Sequence, residues 1–482
     1  MALTSVLSNA NKVPGAYLKV SLGVGARSAG EAARKIMLFG NKTSAGSVAV
    51  NTPTLTLSTD DAEAFFGKGS ELYRMVAAAV AVNTTAQIYC TAIAEASGTN
   101  ASGTVTVTGP ATAAGSVTVT ICGTPIVVAV ASGDSANTVA AAISAAINDE
   151  ETLPVTAGVS TNTVTVTFRH DGPRGNYASL RCVSEAAGIG VTASGSYLAS
   201  GATSDDPQNA IDATDASRYH FLVAPYQDAT NLAKFKTQVS TQADPATGLR
   251  QCFVFGSIDT LANTTTVATG LNEARGQCAW LYNGDTMPSE LAAAMAALRA
   301  KNEEIDTAAN MDGQVLTGVK IPVAEADWPT NAELVSALNN GITPLRPVAG
   351  EIQMVRSVTT RSQTSGGSPD YAVLDTSKVA VPDEFADDLE VNWTQFAGFK
   401  AADDVEDVVP PPNVLTPLLV KDWIFSRLKV FEDAGKVTNV DALADQIVVE
   451  LATSPAGRFN AVVPLDVVEG AHQFVADVRQ VG

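Results

Sequence analysis

The feature that most constrains this chain is an alternation, after residue 205, of short apolar stretches with helical windows. "YHFLVAP" precedes the helical "DATNLAKFKTQVSTQ", "RQCFVFGS" precedes "DTLANTTTVATGLNEA", and "CAWLYN" precedes "MPSELAAAMAALRAKN". A strand that is apolar throughout needs cover on both faces, and a helix between successive strands supplies it. Repeated β-α units therefore predict a mainly parallel sheet under helices. The pattern also opens earlier. "RKIMLFG" reads as a buried strand stopped by Gly40. Asp60 and Asp61 are placed to cap a short helix ending at Phe65, Phe66 and Gly67. Ser70 is placed to cap a second helix over residues 71–82, with Leu72, Met75, Val76, Ala79 and Val80 on one face. "AQIYCTAIAEA" follows as a strand.

Composition breaks sharply between "ASGTNASGT" and "ASGSYLASGAT". "GTVTVTG", "GSVTVTICGTPIVVAVA" and "NTVTVTFRH" alternate with period two, as half-buried strands do. Asp134 or Ser135 caps the one helix there, "ANTVAAAISAAIND". This reads as a mostly β module inserted into the α/β domain. Beyond residue 350, "EIQMVRSVTTRSQ" and "YAVLDTSKVAV" read as strands. An acidic stretch over 382–412 ends in Pro410, Pro411 and Pro412, which break regular structure. Helices are expected over 414–433 and 441–453, and a strand-like end follows. The predicted fold class is α/β and multidomain, an α/β core with an inserted mostly-β domain and extended, strand-forming N- and C-terminal arms. The 482 residues suit about three domains. The segments are an arm at 1–25, core at 26–97 and 201–349, an insertion at 98–200, a C-terminal domain at 350–467 and an arm at 468–482.

A formal charge of −20 disfavours nucleic acid as a partner and keeps free subunits apart. Cys90, Cys122, Cys182, Cys252 and Cys278 are scattered and odd in number, which argues against a disulfide framework or a zinc site and fits a reducing cytoplasm. The N-terminus lacks the basic and apolar regions of a signal peptide. The apolar run at residues 76–82 is too short to span a bilayer, so no membrane insertion is expected. His170, His220 and His472 stand apart, outside any HExxH or HxH. "FGNKT" at Phe39 and "FGKGS" at Phe66 do not complete a phosphate loop, and the acidic stretch lacks calcium-loop spacing. No catalytic, cofactor or metal residue is assigned, and no cofactor is expected.

Two features stand out. Each end forms strands without an obvious local partner. Val13, Tyr17 and Val20 can anchor an extended N-terminal arm. Near the other end His472, Phe474, Ala476 and Val478 share one face, and Gln473, Val475, Asp477 and Arg479 the other. Such a strand adds to a sheet edge in its own subunit or in another. The acidic stretch, with Asp387, Asp388, Glu390, Asp403 and Asp404, is either a solvated face or a patch meeting basic residues of a neighbour.

Taken in order, these segments resemble the tail sheath proteins of contractile-tailed phages, in the Mu-like branch. "VPGAYLKV" and "RKIMLFG" carry the start of the resemblance. "AEAFFGKGSELYRMVAAAVAVN" with "IYCTAIAE", the β-rich insertion through "VTVTFRHDGPRGN", "RYHFLVAPYQDATNLAKFK" and "GRFNAVVPLDVVEGAHQFVADV" continue it. The resemblance implies a non-enzymatic subunit of stacked hexameric rings around a tail tube, assembled in the bacterial host cytoplasm into the virion tail. The tube protein and the baseplate and tail terminator proteins are the implied partners. The resemblance further implies a sleeve that contracts to drive the tube through the host envelope, with residues 350–467 as its C-terminal sheath domain. Inter-subunit strand donation is implied at Val13, Tyr17 and Val20, and at Val468, His472, Phe474, Val475 and Val478. The insertion is expected to face outward. A phage-derived injector sheath, another tail or baseplate protein, and a soluble α/β enzyme are the alternatives.

Overall fold

The computed structural model describes residues 33–404, 411–452 and 457–480. Val13, Tyr17 and Val20 lie outside these residues, as do Glu406, Asp407 and Pro410 of the acidic stretch.

The centre is an eight-stranded sheet. Its order is Glu351–Met354, Thr343–Val348, Gly276–Trp280, Cys252–Ser257, Phe221–Ala224, Lys35–Gly40, Gln87–Ala92 and Thr54–Leu55. All neighbours are parallel except the two outermost pairs, which are antiparallel. Strand Lys35–Gly40 shows why both faces need helices. Ile36 and Leu38 enter one core cluster with helices Glu71–Val82 and Pro288–Glu303. Met37 and Phe39 enter the opposite one with helices Ala229–Gln242 and Leu261–Leu271. The chain order reverses between Lys35–Gly40 and Phe221–Ala224, so a topological switch point lies there.

Helix Pro288–Glu303 has little amphipathic character because nearly all of it is buried. Its alanines permit a close seat on the sheet. A Cβ at Gly256 would lie 2.2 Å from the Pro288 carbonyl oxygen. Helix Glu71–Val82 is capped by Ser70 as the sequence predicts. Helix Thr59–Phe66 is not capped by Asp60 or Asp61. Ser58 caps it, accepting from the Asp61 N–H, and the Asp61 carboxylate reaches back to the Leu57 N–H.

Within residues 98–200, an antiparallel sheet of Gly190–Ala193, Asn100–Thr108, Thr163–Asp171 and Val155–Ser160 shares a core with the sheet Thr124–Val130, Gly115–Ile121 and Leu180–Ser184. Helix Ala136–Asp149, capped by Ser135, closes that core. Thr99 and Ala202 exchange backbone hydrogen bonds, so the stretch leaves and rejoins the α/β layers at one point.

The C-terminal part corrects three expectations. "YAVLDTSKVAV" is not a strand. Its second half opens helix Ser377–Trp393, which carries much of the acidic stretch. Val379 packs into the main core and Val381 into the C-terminal cluster. Apolar residues two apart on opposite sides of one helix imitate the period of a strand. Helix 441–453 shrinks to Val440–Leu443, and the β-branched residues after it form strand Val448–Leu451. "EIQMVRSVTTRSQ" contributes only Glu351–Met354, which joins the main sheet. Helix Pro417–Asp433 is present, capped by Thr416.

Candidate assembly surfaces and the switch-point crevice

In open α/β sheets, ligands bind at the carboxyl ends of the strands beside the switch point. Here the insertion fills that place. Arg174, in the turn after strand Thr163–Asp171, reaches the ends of Lys35–Gly40 and Phe221–Ala224. Its guanidinium bonds to the Asn41 side chain, Asp205 and Glu71. It stands 5.1 Å from the Tyr226 ring centroid. Burial works against its charge. Glu71, Tyr226, Asp205 and Glu95 more than offset this and raise its pKa above the usual arginine value. Glu71 and Asp205 also accept the backbone N–H groups of Asn41 and Ala96. A buried cation with three polar partners thus ties the two parts together at the switch point, beside a remaining cleft of about 140 Å³ lined by Arg174, Tyr177, Tyr226 and Asp228.

The glycine turns that faintly resembled phosphate loops have a packing role. Gly69, at φ +72, lies where a Cβ would come within 2.5 Å of the Glu151 and Leu153 carbonyl oxygens of the insertion. A glycine is required for that approach. A cleft of about 260 Å³ beside it is lined by Arg74 and Glu290. These two form an ion pair at 2.6 Å, and Arg74 also donates to the Thr152 carbonyl.

The three histidines serve separate contacts. His170 is buried beside Glu95. His220 Nδ1 accepts the Lys35 N–H. Burial, then Arg34, Arg218 and Lys35, holds its pKa well below 6.5. Burial pushes the Cys90 and Cys122 thiols up to about 12, so they stay protonated at neutral pH. Among the described residues no helix is long and apolar enough to cross a membrane.

The C-terminal segment is held at its root and exposed beyond it. Val437 bridges Val467, and Val468 N–H donates to the Lys436 carbonyl. His472 Nδ1 lies 2.6 Å from Asp312, and its Nε2 lies 3.5 Å from Asp375, which a two-pronged Arg356 holds. After His472 no strand is assigned through residue 480. Phe474, Val475 and Val478 are 93%, 90% and 91% exposed. Nearby, Val448–Leu451 and Phe459–Val462 form an isolated two-stranded ribbon with Val448 and Val462 exposed. Such ribbons are marginal alone, and their outer edges are open to further strands.

The acidic residues divide. Asp387 pairs with Arg218 and Arg250, Glu390 with Arg250, and Asp388 with Arg427. Asp404 is exposed and caps helix Pro417–Asp433 by accepting the Leu418 N–H. Asp403 is exposed. The stretch is thus mostly committed within its own chain. Sequence reasoning missed Arg174, Glu71, Asp205 and Asn41. They lie far apart in sequence, and their residue types carry no spacing signal.

No family model matches the chain. The Mu-like prophage FluMu tail sheath protein of Haemophilus influenzae is 26% identical over 460 residues, 94% of each chain. Among solved structures, a sheath tail protein from Desulfitobacterium hafniense is 14% identical, with a TM-score of 0.49, covering 94% of this chain and 100% of that one. A sheath tail protein from Listeria innocua is also 14% identical, at 0.49, covering 91% and 92%. Along 94% of its length the chain is thus similar in sequence to a Mu-like prophage tail sheath protein.

Proposed function

We propose that the chain is the repeating structural subunit of a contractile tail sheath, stacking as hexameric rings around a tail tube. The match to a tail sheath protein along 94% of both chains carries this reading. The sleeve is assembled extended and metastable, and contraction drives the tube through a host envelope. The tube, baseplate and tail terminator proteins are its partners, and it resides in the virion tail after assembly in the host cytoplasm.

Three structural features support the reading. The apolar C-terminal segment is almost wholly exposed in the single subunit, so a second copy is its natural cover. The ribbon Val448–Leu451 with Phe459–Val462 offers open edges to such a strand. Arg174 fastens residues 98–200 to the α/β layers at the switch point through buried ionic bonds, a joint that suits a structural subunit. We read 1–25 and 468–482 as arms, 26–97 with 201–349 as the core, 98–200 as an outward-facing insertion and 350–467 as the C-terminal sheath domain. Strand donation at Val13, Tyr17 and Val20 belongs to this proposal, as does donation at Phe474, Val475 and Val478, whereas Val468 and His472, expected as donors, are engaged within their own subunit. Contraction exchanges one set of packed contacts for a more extensive one, with free energy stored at assembly and no nucleotide required.

Electron microscopy of the purified protein tests this. Hollow striated sleeves are expected as concentration and salt rise, since screening weakens repulsion between chains of charge −20. Persistent monomers across that range would overturn the reading.

A further inference from the structure

Helix Ser377–Trp393 joins the main sheet to the C-terminal cluster, and its two sides do so by different chemistry. At about 100° per residue, Val381, Phe385 and Leu389 fall on one side with Glu384 and Asp388. The apolar three pack in the C-terminal cluster, Glu384 binds Lys436, and Asp388 binds Arg427. Asp383, Asp387 and Glu390 fall on the opposite side. They meet Arg275, Arg250 and Arg218. Each arginine stands just ahead of a strand, and the three strands Gly276–Trp280, Cys252–Ser257 and Phe221–Ala224 are neighbours in the sheet. Arg275 grips Asp383 with two bonds, at 2.6 and 2.7 Å. On this side the helix contributes Val379 to the main core and also buries Ala380, both near its start, and beyond them the seam is ionic.

We propose that this ionic seam is an orienting clasp, fixing the angle at which the C-terminal module and its terminal segment stand on the α/β core. Partly exposed ion pairs add little net stability, yet forked arginine bonds are directional. Four residues of helix rise about 6 Å, close to the strand spacing of about 4.8 Å, so Asp383 meets Arg275 while Asp387, one turn on, bridges Arg250 and Arg218, and Glu390 adds a second carboxylate to Arg250. A slip of one turn breaks that match. Setting the angle of the module sets where its terminal segment reaches in a lattice. That consequence rests on the sheath reading, whereas the clasp itself does not.

Hydrogen exchange on the isolated full-length subunit tests the clasp. The variant Asp383→Asn, Asp387→Asn, Glu390→Gln should exchange about tenfold faster in 377–393 and in the residues leading the three strands. The sheet strands and helix Pro417–Asp433 should keep their protection. Glu384→Gln with Asp388→Asn should leave the seam slow, and the swap Arg275→Asp with Asp383→Arg should restore much of it. Wild-type exchange at about 0.05 M and about 1 M salt gives a second measurement that needs no variant, and salt should quicken the same peptides. An unchanged seam overturns the clasp. So does a uniform loss of protection, which would make the pairs part of global stability. Regular wild-type sleeves from the loosened variant would remove its lattice role and leave the sheath reading standing. Absence of sleeves from the unaltered chain would count against the sheath reading alone.

Discussion

Arg174 makes the insertion and the core depend on each other through one side chain. Replacing it with Met leaves Glu71 and Asp205 as buried carboxylates without their cation. Loss of one partner from a buried ion pair costs about 3–5 kcal/mol, and urea unfolding of Arg174→Met should show a loss of that order. Arg174→Lys should recover only part of it, because an ammonium cannot match the planar fork that serves several acceptors at once. A second residue-scale prediction concerns acid. His220 is held well below its ordinary pKa of 6.5 by burial and by Arg34, Arg218 and Lys35. The unfolded chain therefore binds a proton at His220 at higher pH than the folded one. Its contribution is full above the unfolded value and is lost as pH falls below about 6.5 towards the folded value. His220→Asn keeps an acceptor for the Lys35 N–H without the titration. Its unfolding free energy should fall less than wild type between about pH 6.5 and 5. An equal slope would show that other groups carry the acid response. None of these residues was legible in the sequence. Arg174 meets partners 31, 103 and 133 residues away, and only the fold brings them together.

At the scale of elements, sequence legibility followed environment. The β-α units after residue 205 were readable because each strand is buried on both faces, helices Ala229–Gln242 and Leu261–Leu271 bury one side, and Pro288–Glu303 is a long alanine-rich run. The Ser70 cap was readable because the signal is local. Reading failed where one helix is covered from two sides, as Val379 and Val381 show, and where a β-branched run follows a single helical turn at Val440–Leu443. For the C-terminal segment the sequence suggests a strand-former without a local partner, and the single subunit assigns no strand after His472 through residue 480; its root was not legible. His472 belongs with Asp312 and Asp375 in its own subunit, so the free part begins at residue 473. Truncation at 468 would remove both the Val468 hydrogen bond and the His472 contacts. Removing 473–482 is the cleaner experiment. The urea midpoint should stay where it is, because Phe474, Val475 and Val478 are almost fully exposed, while sleeves should fail to form. Normal sleeves from this variant would show that the C-terminal arm is not the link between subunits.

For the whole molecule, the composition break located the β-rich stretch, yet not how firmly it is keyed to the core. Arg174 and the Arg74–Glu290 pair beside the Thr152 carbonyl all lie on that junction, as does Tyr197, which donates to Asn283. Its ends meet at Thr99 and Ala202, so residues 99–202 can be replaced by a short linker without straining the sheet. Removing them also removes Arg174 and leaves Glu71 and Asp205 facing each other across the switch point. The excised chain should therefore be less stable at neutral pH by about 1–3 kcal/mol, less than the fully buried cost because water enters the opened crevice. The deficit should shrink at pH 7 when Glu71→Gln is added, since an amide oxygen still accepts the Asn41 N–H without the repulsion. This corrected deletion is the fair test of an outward-facing insertion. It should fold and still build sleeves, narrower than wild type by the missing layer. If it folds with the stability of the parent yet builds none, the insertion is itself a lattice contact and its outward placement is wrong.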